Sequence, residues 1–249
     1  MSEKIELLSA PSETLVQHLD RVLGKWDKIK SRFSYTLPRL FGTPWEEIEE
    51  AINRMFLLHD LGKATEKWQK FITAQKEERD NETERKSGAP HAQLGGAYLW
   101  WASDPKDDLV MASAFAIAIH HTDSALARPG LEDPATMLVT SWLVNEDDDT
   151  IRWHNGLDGF MGWLRDEHGL DLPHPRDMGL YDVSEFALEL RKWARGAEIL
   201  ELHRRRLQVA ALHSVIKVCD IRAAIARSEE PVTPANTFTW TIVNGGMIP

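Results

Sequence analysis

Apolar residues recur at helical spacing along most of the chain, and the first such stripe lies between residues 12 and 29. Ser12 is the expected N-cap of this helix, with Glu13 in its first turn. The stripe also carries His18, which therefore faces the core together with its apolar neighbours. Those neighbours are Leu15, Leu19, Val22 and Trp26. The pattern predicts an amphipathic first helix with one inward-facing histidine.

A second helix is predicted for residues 44–58, with Pro44 at its first position. Its last four residues are apolar and lead directly into the adjacent pair His59 and Asp60. An imidazole and a carboxylate buried side by side are costly unless each is hydrogen-bonded or bound to a metal. Gly62 then lets the backbone turn closely beneath them. The pair is therefore the first candidate for a functional site, and the plain alternative is a helix end that happens to carry both residues.

Further along the chain, His91 opens an apolar segment whose Gly-Gly pair allows close helix packing. The small apolar residues 111–119 then predict a central, wholly buried helix, which ends in His120 and His121. Neighbouring residues on a helix point about 100° apart. Both histidines can therefore serve one site only if it lies at the helix end or between helices.

The last long apolar stripe predicts a single helix from about residue 186 or 193 through residue 226. Asp220 lies beside that stripe, and its carboxylate needs a partner. An ion pair with Lys217 or Arg222 is the alternative to a functional role, although residues so close on a helix pair only moderately. The core positions of the stripe are Leu212, Val215, Ile216, Cys219, Ala223 and Ala226.

No clean boundary divides the chain, so a single domain is predicted for residues 1–249, with its core at about 12–228. The charged stretch at about 73–90 is expected to be a mobile surface loop. The tail at 231–249 contains alternating β-branched and aromatic residues, which are typical of a short strand or an extended arm.

Composition is that of a soluble globular protein, with 43% hydrophobic and 27% charged residues. The longest apolar run is far shorter than the roughly 20 residues that a bilayer span needs, and the start lacks the basic and apolar regions of a secretory signal. We therefore expect no membrane association and a cytoplasmic location. The single cysteine, Cys219, excludes an internal disulfide and a cysteine-based zinc site.

Net charge argues against unaided nucleic-acid binding, because a chain with a formal charge of −10 repels phosphate backbones. Bound divalent cations or a local basic patch would have to override that repulsion. The side chains that we expect to contact such a backbone are Lys86, Arg204, Arg205, Lys217 and Arg222. The alternative for the arginine run is a solvated helix face.

Five elements in order along the chain resemble those of the HD phosphohydrolase superfamily. They are the histidine of the first helix, the HD doublet in LLHDLGK, the histidine that opens HAQLGG, the HH doublet and the late helical aspartate. Within the superfamily the motifs are most similar to those of the CRISPR-associated HD nuclease, the nuclease part of the type I interference helicase-nuclease. The likeness runs from His18 to Asp220. It implies an all-α fold, namely an HD-domain helical bundle with a buried metal site.

The resemblance also implies ligands for two metal ions. One ion is assigned to His18, His59, Asp60 and Asp220. The other is assigned to His91, His120 and His121, with Asp60 shared because a carboxylate has two oxygens to offer. Lys63 is expected to stabilise the charge that develops on the phosphate of the substrate. His203 and His213 are the alternatives to Asp220 as a metal ligand. A mixed nitrogen and oxygen shell suits manganese, iron, cobalt, nickel or zinc better than magnesium.

The function that the resemblance implies is metal-dependent cleavage of single-stranded DNA in type I CRISPR interference. The resemblance implies two partners, a helicase and a type I surveillance complex. The helicase is expected to be a separate chain, because the sequence contains no GxxxxGK[ST] phosphate-binding loop. One alternative is an HD-domain phosphohydrolase that acts on nucleotides. Another is a catalytically silent adaptor that keeps the fold, and fold alone does not decide among them.

Overall fold

The computed structural model of the protein describes residues 6–78, 91–121 and 150–227. Within these ranges the chain forms nine α-helices and one two-stranded antiparallel sheet, so the all-α prediction is confirmed. The helices are α1 (Leu15–Asp27), α2 (Thr36–Phe41), α3 (Trp45–Leu58), α4 (Glu66–Glu78), α5 (Ala92–Trp101), α6 (Asp108–Ile119), α7 (Leu157–His168), α8 (Leu180–Arg195) and α9 (Ile199–Arg227). The strands are β1 (Leu8–Ala10) and β2 (Glu13–Thr14), and short 3-10 turns cover Lys30–Arg32, Leu61–Ala64 and Pro175–Asp177.

The start of α1 differs from the prediction. Thr14, and not Ser12, is the N-cap, and it forms a capping box in which its hydroxyl accepts from the Gln17 backbone N–H at 3.2 Å. The Gln17 side chain in turn accepts from the Thr14 N–H at 3.1 Å. Glu13 lies in β2 instead of the first helical turn, because β1 and β2 pair into a hairpin that brings Leu8 opposite Thr14.

The second predicted helix is present as α3, which begins one residue later than expected. Pro44 is extended and precedes Trp45, so it lies at the N-cap and not at the first helical position. The apolar end of α3 is buried as predicted, and His59 follows directly as the C-cap. The turn Leu61–Ala64 then carries the chain into α4.

Two close backbone approaches place the central helices. A Cβ built at Gly96 of α5 would lie 2.5 Å from the Ala114 carbonyl oxygen of α6. One built at Gly95 would lie 2.5 Å from the Leu58 carbonyl oxygen at the end of α3. Helix α6 is buried almost throughout from Leu109 onward, as its small apolar residues predict. The three helices can therefore pack with their backbones nearly touching.

The predicted single late helix is wrong. The chain forms α8 and α9, which are separated at Gly196, the C-cap of α8. On α9 the predicted core positions are buried with the exception of Ala226, which is exposed at the last turn. Helix α9 packs against both α1 and α6, and this packing brings the late Asp220 to the first helix.

The main hydrophobic core joins most of the described helices, with Trp26, Phe56, Tyr98, Phe115 and Phe186 among its largest buried side chains. Trp68 and Ile72 of α4 form a second, small cluster. The charged stretch at 73–90 begins inside α4, so its residues 73–78 are helical. The rest of that stretch and the tail at 231–249 lie outside the described residues. Among the described helices, none combines the length and the apolar character needed to cross a bilayer.

Candidate metal centre

His59 and His120 each follow the end of a helix, and their rings are held in the same way. The Nδ1 of His59, just after α3, lies 2.6 Å from the Phe56 carbonyl oxygen, and the Nδ1 of His120, just after α6, lies 2.7 Å from the Ile117 carbonyl oxygen. A carbonyl oxygen only accepts, so each Nδ1 carries the proton and each Nε2 keeps its lone pair. Both side chains are buried, and neither Nε2 has a hydrogen-bond partner. This is the arrangement of a histidine prepared to bind a metal through Nε2.

Asp60 lies at the middle of the cluster, and its two carboxylate oxygens face different neighbours. Oδ1 lies 2.9 Å from the Nε2 of His91. Oδ2 lies 3.4 Å from the Nε2 of His18 and 3.5 Å from the Nε2 of His59. Oδ2 also accepts a hydrogen bond of 2.7 Å from the Lys63 ammonium group. One buried carboxylate therefore separates two groups of imidazoles.

The first group is completed by the start of α5 and the end of α6. The Nε2 atoms of His91 and His121 lie 2.9 Å apart, and the ring of His120 packs on that of His121 with centroids 3.8 Å apart. His91 is buried and His121 is exposed. The rings of Trp68 and His91 also make a T-shaped contact, with their centroids 4.5 Å apart.

The second group joins α1 to α9. The Nε2 of His18 lies 3.0 Å from Oδ1 of Asp220. The opposite ring nitrogen of His18, Nδ1, lies 3.4 Å from the carboxylate of Glu13. The ring of His59 lies 5.8 Å from that of His18, so the end of α3 also reaches this side of Asp60.

An ionised carboxylate, that of Asp60, lies beside the neutral imidazoles of His59 and His120. Burial would raise the pKa of Asp60, but the neighbouring His59 and Lys63 charges and the contact with His91 hold it well below its usual range. Burial lowers the pKa of His59 and, to a greater extent, that of His120. Neutral imidazoles and ionised carboxylates are the protonation states that bind metal ions.

His18 behaves differently from the other histidines. Burial would lower its pKa, but the contacts with Asp220 and Glu13, together with the charge of Asp60, raise that pKa to about 9. The Asp220 carboxylate shows the converse shift, since burial is outweighed by His18 and His59 and its pKa falls below the usual range. The carboxylates on this side therefore attract positive charge, which a proton on His18 or a metal cation can supply.

The donor set fits divalent metal ions. Metal–nitrogen and metal–oxygen bonds are about 2.0–2.2 Å long, so two donors on one ion lie roughly 3 Å apart or slightly more. The donor pairs described above lie 2.9 to 3.5 Å apart. Three groups of mutually close donors result, which are Asp60 with His91, His120 and His121; His18 with His59 and Asp60; and His59 with His120 and Asp220. Every residue of the predicted ligand set belongs to at least one group.

Neither alternative to Asp220 enters these groups. His203 is exposed on the early part of α9, and His213 is buried two turns before Asp220. The predicted ligand set thus lies together in the fold, and the two histidines considered as substitutes lie apart from it.

Lys63 lies inside the protein and not on its surface. Its ammonium group donates to Asp60 Oδ2 at 2.7 Å and to the Ser9 hydroxyl at 3.0 Å, and it lies 5.3 Å from the centre of the Trp68 ring. A buried cation needs such partners. Lys63 is thereby positioned beside the carboxylate that separates the two imidazole groups.

The residues expected to contact nucleic acid do not form one common surface among the described residues. Arg204 donates to Glu201 and Asp108, and Arg205 donates to Glu201 and to the Trp193 carbonyl oxygen. Lys217 and Arg222 are half-buried on α9, on either side of Asp220 in sequence. Lys86 lies outside the described residues.

Sequence reasoning missed the supporting residues that the hairpin supplies. Ser9 of β1 reaches Lys63, and Glu13 of β2 reaches His18. Gln69 of α4 ties the hairpin to the turn after Asp60, because its amide donates to the carbonyl oxygens of Leu8 and Lys63. In the sequence, the only signal for these supporting contacts is that Ser9 and Glu13 are polar residues shortly before α1.

Comparison with known proteins agrees with the geometry. A family model described as "Cas3, HD domain" matches residues 11–179. The CRISPR-associated endonuclease Cas3-HD of Methanocaldococcus jannaschii is 24% identical over 129 residues, which cover 49% of this chain and 50% of that protein. The chain thus spans about half the length of this curated relative.

A solved structure of a CRISPR-associated Cas3 HD domain protein from the same organism superposes with a TM-score of 0.61 at 19% sequence identity. The superposition covers 85% of this chain and 99% of that one, so the two proteins share a fold. Because the family model spans more than half of the sequence, including the histidines and Asp60 of the cluster, this chain belongs to the Cas3 HD domain family.

Proposed function

We propose that the protein is a metal-dependent nuclease that cleaves single-stranded DNA in type I CRISPR interference. The main observation behind the proposal is that the two carboxylate oxygens of Asp60 face two separate groups of histidines. A carboxylate so placed suits a bridge between two cations. The name of the endonuclease relative from Methanocaldococcus jannaschii supports nucleic acid as the substrate class.

The proposed cofactors are two divalent transition-metal ions, held in the grouping that the family resemblance implies. His18, His59 and Asp220 would hold one ion with Asp60 Oδ2. His91, His120 and His121 would hold the other with Asp60 Oδ1. Two cations held by these residues would supply a metal-activated water and positive charge for the scissile phosphate and its leaving oxygen.

The chain's own residues provide orientation and charge. The backbone contacts of His59 and His120 fix each Nε2 toward the cluster before any ligand arrives. Lys63 offers an ammonium group beside Asp60, where it would attract a phosphate and stabilise the charge that develops on it. Because Ser9 and Trp68 hold the Lys63 side chain, little reorganisation is needed when the substrate binds.

Single-stranded DNA is the proposed substrate, and a separate helicase within a type I surveillance complex would expose it. The net charge of −10 disfavours tight binding of DNA by this chain alone. Delivery by a partner in the cytoplasm would overcome that weakness, because a tethered strand has a high effective concentration near the site.

The experiment is cleavage of a labelled single-stranded DNA by protein that has been treated with a chelator. Manganese, cobalt, nickel or magnesium is then added back, with Asp60→Ala measured in parallel. We expect cleavage to return with a transition metal and to stay absent from Asp60→Ala.

Two outcomes would contradict the proposal. Turnover of mononucleotides without any loss of DNA would indicate a nucleotide phosphohydrolase. Absence of both activities under every metal, in wild type and variant alike, would favour the adaptor alternative.

A further inference from the structure

Among the described acidic residues outside the metal cluster, Glu13 is the most completely buried. Its side chain has no exposed surface, although it belongs to a two-residue strand at the edge of the fold. A buried carboxylate is costly unless its oxygens are well paired. Its environment should therefore explain why it lies there.

Three partners surround the Glu13 carboxylate. The guanidinium of Arg21, one turn beyond His18 on α1, donates to Oε1. The guanidinium of Arg227, at the end of α9, donates to Oε2 at 2.8 Å. The same Oε2 lies 3.4 Å from Nδ1 of His18. The two arginines are partly exposed and hold the carboxylate from the solvent side, so His18 is the partner on its buried side.

His18 therefore has a carboxylate on each side of its ring. Nδ1 faces Glu13, and Nε2 faces Asp60 and Asp220. The ring cannot rotate about its Cβ–Cγ bond without moving one nitrogen away from its carboxylate. Glu13 thus determines which nitrogen of His18 points toward the cluster.

His59 and His120 achieve the same orientation by another means. Their Nδ1 atoms contact backbone carbonyl oxygens within their own helices. His18 lies in the first turns of α1 and uses a side chain from β2 instead. A carboxylate behind a histidine ligand raises the basicity of the ligand more than a neutral carbonyl does. Unlike His59 and His120, His18 therefore depends on a replaceable side chain for the orientation of its ring.

We propose that Glu13 is a positioning residue, which directs Nε2 of His18 to the metal centre, and that Arg21 and Arg227 anchor Glu13 in this role. The inference rests on the proposed metal-dependent function. It adds an outer support that joins the N-terminal hairpin, α1 and the end of α9. It also explains the hairpin, because pairing with β1 fixes Glu13 at the start of α1.

The test is a titration of chelator-treated protein with Co²⁺, followed by visible absorption. Glu13→Gln keeps the size of the side chain and removes its charge. We expect it to weaken binding of one ion by about 10–100-fold, as loss of an outer partner does, and to change the cobalt spectrum of that ion. Binding at the His91, His120 and His121 side should be unchanged.

Glu49→Gln is the matched control. Glu49 forms an ion pair with Lys30 at 2.7 Å, away from the cluster, and it undergoes the same chemical change. We expect its cobalt affinity to equal that of wild type. If Glu13→Gln does not fold, as judged by circular dichroism, the cobalt titration is done with Arg227→Gln instead. That variant should bind one ion more weakly, and Arg227→Lys should restore most of the affinity.

Two results would overturn the inference, and they differ from each other. If wild type binds two cobalt ions and both Glu13→Gln and Arg227→Gln bind them with unchanged affinity and spectrum, Glu13 has no positioning role, although the metal centre stands. If wild type binds no cobalt, the proposed metal centre fails and the inference fails with it.

Discussion

Two clusters that contain residues predicted from the sequence to be functional differ in structure. The metal cluster, formed by the seven predicted ligands, is buried apart from His121 and half-buried Asp220, and it leaves Nε2 of His59 and of His120 without hydrogen-bond partners. The arginine cluster, formed by Arg204 and Arg205 with Glu201 and Asp108, lies at or near the surface and satisfies its charges within itself. Buried donors that lack partners indicate a ligand, whereas exposed charges that are already paired do not.

The largest effect should follow from loss of the shared carboxylate. Asp60→Asn keeps the shape of the side chain but removes the charge that faces both imidazole groups. We expect DNA cleavage to fall by more than about 100-fold, beyond the loss typical of an outer-shell partner, and metal content to fall with it. The measurements are single-turnover cleavage and metal analysis.

Asp108→Asn is the matched change in the arginine cluster. Asp108 contacts Arg204 and the indole N–H of Trp193. We expect its activity to lie within about threefold of wild type, since exposed ion pairs contribute little. Equal losses in the two variants would abolish the distinction between the clusters.

Lys63→Met should reduce the rate by about 10–100-fold at saturating metal, since it removes the preorganised cation that we propose stabilises charge on the phosphate. The effect should appear mainly in kcat, because Lys63 is buried beside Asp60 and is not part of an exposed binding surface. Steady-state cleavage kinetics measure it. A change confined to KM would assign Lys63 to substrate binding alone.

The close packing beneath the metal cluster predicts a loss of stability. A Cβ at Gly62 would overlap the backbone carbonyl of His91, so Gly62→Ala should lower the free energy of unfolding by about 1–3 kcal/mol. Gly24→Ala is the control, because nothing lies within 4 Å of its added Cβ. That helical change should stabilise the protein by roughly 0.5–1 kcal/mol. Urea unfolding of both variants measures the change. Without metal present, a loss of stability comes from steric overlap with His91 and not from weaker metal binding.

The raised pKa of His18 predicts a pH dependence in metal-free protein. Its folded pKa of about 9 exceeds the ordinary histidine pKa of 6.5. Protonation of His18 therefore stabilises the folded state fully below about pH 6.5, and this contribution is lost as the pH rises through 9. The Tm advantage of wild type over His18→Gln, measured with chelator present, should shrink from pH 6.5 to pH 9. An advantage that grows over this interval would contradict the assignment.

The smallest effect is expected in the arginine cluster. Arg204→Gln should change the free energy of unfolding by less than about 1 kcal/mol, as loss of an exposed ion pair does. Contact with DNA by Arg204 and Arg205 remains a prediction. A tenfold loss of affinity together with a shallower salt dependence would support it.

Most of the metal cluster could be predicted because its residues follow apolar runs. His59, Asp60, His120 and His121 stand where α3 and α6 end, and a buried helix end is recognisable from composition alone. Asp220 was harder to place, since its contact with His18 depends on the packing of α9 against α1. The sequence order of the motifs, and not their spacing, pointed to it.

The parts that were missed depend on pairing between segments. Glu13 fits a first helical turn by local preference, and only the hairpin with β1 places it in a strand. The break between α8 and α9 had a local signal in Gly196, but the apolar stripe continues on both sides and obscures it. Local patterns therefore predict the helices and their ends, and tertiary contacts decide which side chains support the ligands.

The most direct test of the central claim is an anomalous diffraction experiment on crystals grown with Mn²⁺. We predict two peaks about 3.5–4 Å apart on opposite sides of Asp60. One should lie beside His91, His120 and His121, and the other beside His18, His59 and Asp220. The absence of any peak within the cluster, with manganese bound elsewhere on the protein, would contradict the assignment of these residues as metal ligands.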